Sequence, residues 1–600
     1  MKQKKSILSY RPFLFLLATM LCLSACTKDK LDNKPIQTDV GYASASSIRM
    51  FNLSTSTDVT VNNIPLTARQ TNGQNQGSTD IGLSIFPSGK WISGEDGGPF
   101  ILPNSLLDKN GMAHFIIGSL DTIIVNDVEH PKDYYFMSNG HLRVVDRNNI
   151  QPVAAQNFKI RIVNLGSKLM GNILDLNGSV TLTYADGTVV DQRVSNIALG
   201  ASSDYVELPY GAYQFKLFIA GGAGIDVTKQ LADFPTTAYY DPCNPSFHPQ
   251  QGINTRVRTF KPGGVYTILV SENFHSLFTD CPMGILPAGL YANSYRVLTE
   301  YNPGVNNTFA RMHAVNAVPG KSISFTVDGK ALGAQHPYIG QVAGSKAVPA
   351  EYEIYVQGKH HVVARDENGS LLAEDDLMLY PYDNYTIWLY NNKEGKPVLV
   401  FQPNDMTGTL YASAYHPNGA VIPDDGTNGA ARLVQYPYAL QSRFINLCSD
   451  MPYATFTSDH QLLLPAIGPN LQDSIRYFSA YVNMAPGALP SRNASVIYSI
   501  PNYSPASSGV PFGNTEKSYL PKLLRAFRSK PAPDAEVPGS LEASIAPLDV
   551  YGAFVANNSL YTFPQFKSPE TGIYTVALVG RLSNGGNGNQ AKLIVIKHNK

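Results

Sequence analysis

Along most of the chain apolar and polar residues alternate in runs of about five to eight positions, broken roughly every ten residues by Gly, Pro, Asn or Asp. A period near two predicts strands, and no long helical period interrupts it. One short pattern recurs, a basic residue, two apolar residues and asparagine: Arg49-Met50-Phe51-Asn52, Arg161-Ile162-Val163-Asn164, His313-Ala314-Val315-Asn316 and Arg443-Phe444-Ile445-Asn446. The asparagines are separated by 112, 152 and 130 residues. A second strand, expected to be half-buried, repeats as Tyr266-Thr267-Ile268-Leu269, Tyr385-Thr386-Ile387-Trp388 and Tyr574-Thr575-Val576-Ala577. Closing strands follow at Leu142–Val145, Val398–Phe401 and Leu593–Ile596. Asp186-Gly187 and Asp328-Gly329 sit between apolar runs and predict two-residue type I′ hairpins. The expectation is an all-β chain of four tandem β-sandwiches, at residues 44–150, 155–300, 305–435 and 440–600, the last with a long insertion.

The strand phase assigns a role to the repeated asparagine. Asn164 shares a face with Ile160 and Ile162, and Asn52 and Asn316 keep the same phase. An amide on the core face at a strand end is expected to satisfy backbone groups of the following turn. The Arg or His three positions earlier points the other way and is expected to be solvated.

Composition narrows the class. Hydrophobic residues make up 43% and charged residues 15% of 600, against roughly 25% charged in typical soluble domains. Forty-six basic and 46 acidic residues cancel, so no global field favours nucleic acid. Lys2, Lys4, Lys5 and Arg11 precede an apolar run from Phe13 to Leu23, which reads as a signal peptide over residues 1–25. It ends in Leu23-Ser24-Ala25-Cys26, which resembles the bacterial lipoprotein cleavage box. The resemblance implies lipidation of Cys26, a lipidated tether over residues 26–43, and an outer-membrane protein facing the periplasm or the cell surface. Lys28-Asp29-Lys30 resembles the surface-export tether of Bacteroidetes lipoproteins. Removing the leader leaves 42 basic against 46 acidic residues. Among the remaining cysteines, Cys243 and Cys281 flank a Pro-rich region and are the candidate disulfide pair, while Cys448 reads as a small buried residue.

The third copy carries a family resemblance. Thr308-Phe309-Ala310-Arg311-Met312-His313-Ala314-Val315-Asn316-Ala317-Val318-Pro319-Gly320, then Ser324–Gly329 and Val348-Pro349-Ala350-Glu351-Tyr352, resemble the DUF4397 family. Glu351 departs from the family's usual glycine at that step. The second copy matches less well, and the first and fourth keep mainly the opening strand. The resemblance implies tandem immunoglobulin-like sandwiches in secreted or lipid-anchored bacterial proteins and transfers no active-site residue.

Motifs for chemistry are sparse. The sequence lacks a His-Glu-x-x-His helix, a Gly-x-Ser-x-Gly elbow and a phosphate-cradling glycine loop. His360 and His361 are adjacent in a strand and point to opposite faces, and Asp424–Asn428 reads as a solvated turn. No metal, cofactor or catalytic residue is expected. The insertions bring aromatic residues to loops, and Trp91, Tyr239, Tyr240 and Phe247 are the candidate ligand contacts. Leu520–Arg528 adds a short basic amphipathic piece. The function expected is non-catalytic binding, adhesion or complex assembly at the envelope, through a protein or glycan partner. The alternatives are a glycan-binding lipoprotein beside an outer-membrane nutrient importer and, third, an envelope hydrolase.

Overall fold

The computed structural model describes residues 45–53, 59–65, 67–69, 82–84, 100–137, 140–147, 151–167, 176–221, 224–233, 238–240, 254–279, 288–304, 306–381, 383–404, 410–412, 421–423, 439–457, 481–490, 496–499, 523–563, 566–567, 569–583 and 589–600. They are mostly strands, as the alternation predicts, and the α-helices among them, Ile339–Val342 and Val550–Ala553, are single turns. The chain divides into two compact units, Met1–Asn149 and Ile150–Lys600.

The first unit contains β1 (Ala45–Asn52), β2 (Val59–Val61), β3 (Phe100–Pro103), β4 (Met112–Ile117), β5 (Leu120–Val125), β6 (Lys132–Phe136) and β7 (Leu142–Asp146). One sheet runs β7-β6-β1-β3 and a second carries β2-β4-β5. Ile48 and Met50 from β1 meet Val59, Val61, Phe115 and Ile124 of the second sheet in a single core, the arrangement of a sandwich.

The second unit holds the other three copies. The second copy supplies β8 (Asn157–Asn164), β9 (Val180–Thr183), β10 (Val206–Pro209), β11 (Lys216–Gly221), β12 (Val265–Thr279) and β13 (Ala288–Tyr301). The third supplies β14 (Phe309–Asn316), β15 (Ile323–Val327), β16 (Gly358–Asp366), β17 (Leu371–Leu379), β18 (Asn384–Asn391) and β19 (Pro397–Pro403). The fourth supplies β20 (Ala439–Asn446), β21 (Ala454–Thr457), β22 (Leu523–Lys530), β23 (Gly572–Val579) and β24 (Lys592–Lys597). The basic piece at Leu520–Arg528 therefore runs into a sheet strand, β22, paired with β21.

The repeated segments pair in one register throughout. Each opening strand lies parallel to the following Tyr-type strand: β1 on β6, β8 on β12, β14 on β18 and β20 on β23. The motif's basic residue stands opposite Asp133, Thr267, Thr386 or Thr575 in turn, and its asparagine opposite Phe136, Val270, Leu389 or Leu578. The threonine of the Tyr-Thr strand is thus the cross-strand partner of the motif's basic residue. Closing strands β7, β19 and β24 pair antiparallel to the Tyr-type strand.

These Tyr-type strands are buried on both faces where half-burial was expected. The reason lies between copies. Val315, Trp388 and Tyr390 on the outer face of the third copy's sheet share a core with Ile445, Ala577, Val579, Ile594 and Ile596 of the fourth. Val348–Pro349 even adds a parallel strand to β24. The second copy joins through Ala212 and Val257 against Ile573, and through Phe218 against Val555, Leu560 and Tyr561. An antiparallel sheet with one face solvated would alternate, whereas these sheets cannot.

The two hairpin predictions divide. Asp328 and Gly329 both take positive φ, 50° and 79°, as a type I′ turn requires. At the other site only Gly187 does, at 88°, and the loop closes from Tyr184 to Thr188 as a wider turn ending in a left-handed glycine.

Candidate functional site

Cys26, Trp91, Cys243, Phe247 and Cys281 lie outside the described residues, as does Asp424–Asn428. Tyr239 and Tyr240 belong to a short strand, Ala238–Tyr240, parallel to β12, and their side chains also lie outside the description. His360 and His361 do diverge. His360 Nδ1 bonds Asp328 at 2.7 Å, while His361 Nδ1 bonds Asp376 at 2.8 Å and Nε2 lies 3.5 Å from Glu374. Among the described residues no group of three or more His, Cys, Asp or Glu stands where it could hold a metal.

The first unit carries a surface recess of mixed apolar and polar lining. Ile123, Val125 and Val128 on one side, and Leu142 and Val144 on the other, line a groove of about 630 Å³ above Ile124 and Tyr134. Ile123, Val125, Val128 and Val144 are 62%, 56%, 71% and 48% exposed, so the apolar lining faces solvent. The rim loop is held in place. Asn126 Oδ1 accepts from the Ser47 backbone amide at 2.8 Å, and the Ser47 hydroxyl shares its one proton between Asn126 Oδ1 and Asp127 O, at 2.7 and 2.6 Å. Asp127 accepts from the amides of His130 and Glu129, and the His130 amide bond is the main cause holding its carboxyl below the ordinary value. Burial, aided by Asp127, raises the Tyr134 phenol. The lining offers apolar contact beside the polar groups of Asn126, Asp127, Lys132 and Tyr134. It suits binding by shape and burial.

The repeated asparagines do what their phase predicts. Asn164 donates to Gly178 O and Ile197 O, Asn316 to Lys321 O and His336 O, and Asn446 to Met451 O and Met484 O. Each Oδ1 accepts the amide two residues on, from Gly166, Val318 and Cys448. The amide staples the turn after the opening strand to a distant loop. Cys448 is buried, and its thiol donates to Asp450 at 3.1 Å.

The basic residues overturn the solvation expected of them. Arg49, Arg161, His313 and Arg443 are all buried. Arg49 makes a two-pronged ion pair with Asp133 at 2.7 and 2.6 Å, beside the stacked rings of Phe51 and Tyr135. Arg161 pairs with Glu300 at 3.0 Å and with Thr267. In the second unit the outer sheet faces are covered by other copies, so a residue pointing away from its own core enters a seam. Alternation shows which face a side chain takes and is silent on what covers that face.

The seam of the second unit is polar at its centre. His313 Nε2 meets the Thr386 hydroxyl at 2.7 Å, and His598 bonds Tyr352 at 2.9 Å through Nδ1 and Thr575 at 2.7 Å through Nε2. Asn404 Nδ2 donates to both the Tyr352 and Thr386 hydroxyls, at 2.6 and 3.0 Å. Each hydroxyl then has its own proton to give to a ring nitrogen, which the neutral imidazole can accept. Burial drives His313 down to about 3, with His336 and Arg311 adding to the effect. Burial, then His313, Arg443 and Arg311, lowers His598 well below its ordinary value. Arg311 reaches from the third copy to Tyr210 of the second, passing close over Gly211, where a Cβ would collide with its guanidinium. The motifs pointed to the positions of this seam without revealing its burial, and His598, outside any repeat, carried no signal.

No protein-family model and no curated protein matches the chain. Among solved structures, the Bacillus anthracis TIE protein is 12% identical over 57% of this chain and 50% of its own, with a TM-score of 0.09. A leucine-rich repeat protein from Bacteroides thetaiotaomicron is 10% identical over 38% and 26%, with a TM-score of 0.10. The pneumococcal glycogen-degrading virulence factor SpuA is 9% identical over 60% and 39%, with a TM-score of 0.13. The chain spans half the length of the TIE protein and less of the other two.

Proposed function

We propose that the protein is a non-catalytic, lipid-anchored envelope protein of DUF4397-like sandwiches, held at the bacterial outer membrane through Cys26, which serves in binding, adhesion or complex assembly. The observation that carries this reading is the N-terminal order of basic residues, apolar core and Leu23-Ser24-Ala25-Cys26. Several acyl chains on one cysteine give stable membrane attachment where a single chain gives marginal attachment. A tether followed by rigid sandwiches supports a role in presenting a surface away from the membrane, and the solvent-facing groove at Ile123, Val125, Val128 and Val144 is the described surface best suited to a partner. Fractionation of the native host tests it. The wild type is expected in the detergent-soluble membrane fraction and the Cys26→Ala variant in the soluble fraction. Equal membrane retention of both would remove the lipid anchor from the account.

A further inference from the structure

We propose that Lys597 forms an amide cross-link with the side chain of Gln214, releasing ammonia and joining the second copy of the fold covalently to the fourth. The two residues are 383 positions apart and meet in the seam. Gln214, Glu570, Thr571 and Lys597 are all buried. The Lys597 ammonium contacts the Glu570 carboxylate and lies 3.4 Å from Gln214 Oε1. Asn599 Nδ2 donates to the same oxygen at 3.5 Å. Gln214 Nε2 gives its protons to Thr255 O at 2.9 Å and to the Thr571 hydroxyl. An amine, a carboxylate able to take its proton and a carboxamide polarised at its oxygen therefore meet in one buried cluster, held by the side chains of Thr571 and Asn599 and by Thr255 O.

The step balances with these groups alone. Glu570 takes one proton from the Lys597 ammonium, and the freed amine attacks Gln214 Cδ. Asn599 holds the developing charge on Oε1, as an oxyanion-hole donor does. The Nζ–Cδ bond forms and the Cδ–Nε2 bond breaks. Of the three ammonium protons, one stays on the new amide and one completes the departing ammonia. The third, left on Glu570, leaves with the ammonia as ammonium and restores the carboxylate. Nothing is oxidised or reduced, and no co-reactant is needed. Fixed neighbours react far faster than the same groups free in solution, which compensates for the poor reactivity of a carboxamide.

Electrostatics favour the same product. Lys216 lies in the same buried cluster, 3.0 Å from Gln230 Oε1 and 4.4 Å over the Tyr561 ring. Burial drives its amine down to about 7 against the pull of Glu570, and Lys597 adds to the lowering. Two buried lysines thus lie in the field of one carboxylate, Glu570, and converting the Lys597 ammonium to a neutral amide leaves that carboxylate to the second of them. The main-chain bonds from Gln214 N to Lys600 O and from Lys600 N to Ala212 O already dock the end of the chain at this place.

Intact-mass measurement of the folded full chain, followed by peptide mapping, tests the proposal. Once its N-terminal processing is accounted for, the wild type is expected to be lighter than its sequence by one ammonia, with a joined peptide pair containing Gln214 and Lys597. The near-isosteric Glu570→Gln variant, lacking the base, is expected to keep its full mass and yield both peptides separately. Full mass in the folded wild type overturns the proposal, and this readout needs no variant to fold. Loss of ammonia mapped elsewhere, including an ester at Thr571, overturns it as well.

Discussion

Acidification from pH 7 to 5 is expected to weaken the second unit through His313 and His598. Both rings are buried, at 4% and 3% exposure, and both are held neutral. Their folded-state values lie below the unfolded value of 6.5, so the unfolded chain takes up protons first as the pH falls. The stability they allow is fully present above pH 6.5 and is lost progressively below it. At pH 5 the His313 ring accounts for about 2 kcal/mol, and His598 acts in the same direction. A protonated ring would also turn a nitrogen that accepts from a hydroxyl into a donor, leaving Tyr352 or Thr386 without its partner. Arg311 and Arg443 act on the rings in the same direction. Asp383, raised to about 6 by its burial, acts oppositely: its contribution is present at low pH and is lost as pH rises through 6. The readout is therefore a difference. Urea unfolding of the wild type and of a His313→Gln/His598→Gln variant is measured at both pH values. The wild type should lose at least about 2 kcal/mol more than the variant between pH 7 and 5. Equal losses would refute the assignment of neutral, seam-locked histidines.

Three further outcomes follow from the geometry. Asn446→Ala strands Met451 O, Met484 O and the Cys448 amide, and should lower stability by about 2–4 kcal/mol in thermal or urea unfolding. Arg49→Met takes the two-pronged partner from the buried Asp133 carboxylate and should cost about 3 kcal/mol; adding Asp133→Leu should restore most of it in a double-mutant cycle. In the groove, Ile123→Asp with Val128→Asp should change stability by less than about 1 kcal/mol, yet sharply reduce capture of a stoichiometric partner from detergent-solubilised membranes.

Much of the fold was legible because a strand's period is short and local. The motif ending in Asn164, Asn316 and Asn446 showed both the opening strand and the turn it secures, since a core-facing amide at a strand end has few other uses. The Tyr-Thr strands showed themselves by repetition, although their pairing with the motif's basic residue emerged only from the shared register. Arg49, Arg161, His313 and Arg443 were misread because strand phase shows which face a side chain takes and is silent on what covers or pairs it there. Trp388 illustrates the same limit: it lies on a repeated strand, fully buried between two sheets, with its Nε1 bonded to Gln402 at 2.8 Å. His598 and Gln214 belong to no repeat, and only long-range folding brings them to the seam. The groove escaped the sequence reading for a related reason. Ile123, Val125 and Val144 look like ordinary strand residues until the sheet edge leaves them exposed.

The N-terminal peptide of the protein recovered from its host membrane bears most directly on the proposed placement. Mass spectrometry should find a chain beginning at Cys26, with the mass of acyl chains on that residue and no trace of residues 1–25. A mature chain that begins elsewhere, or that begins at Cys26 with an unmodified thiol, would contradict it.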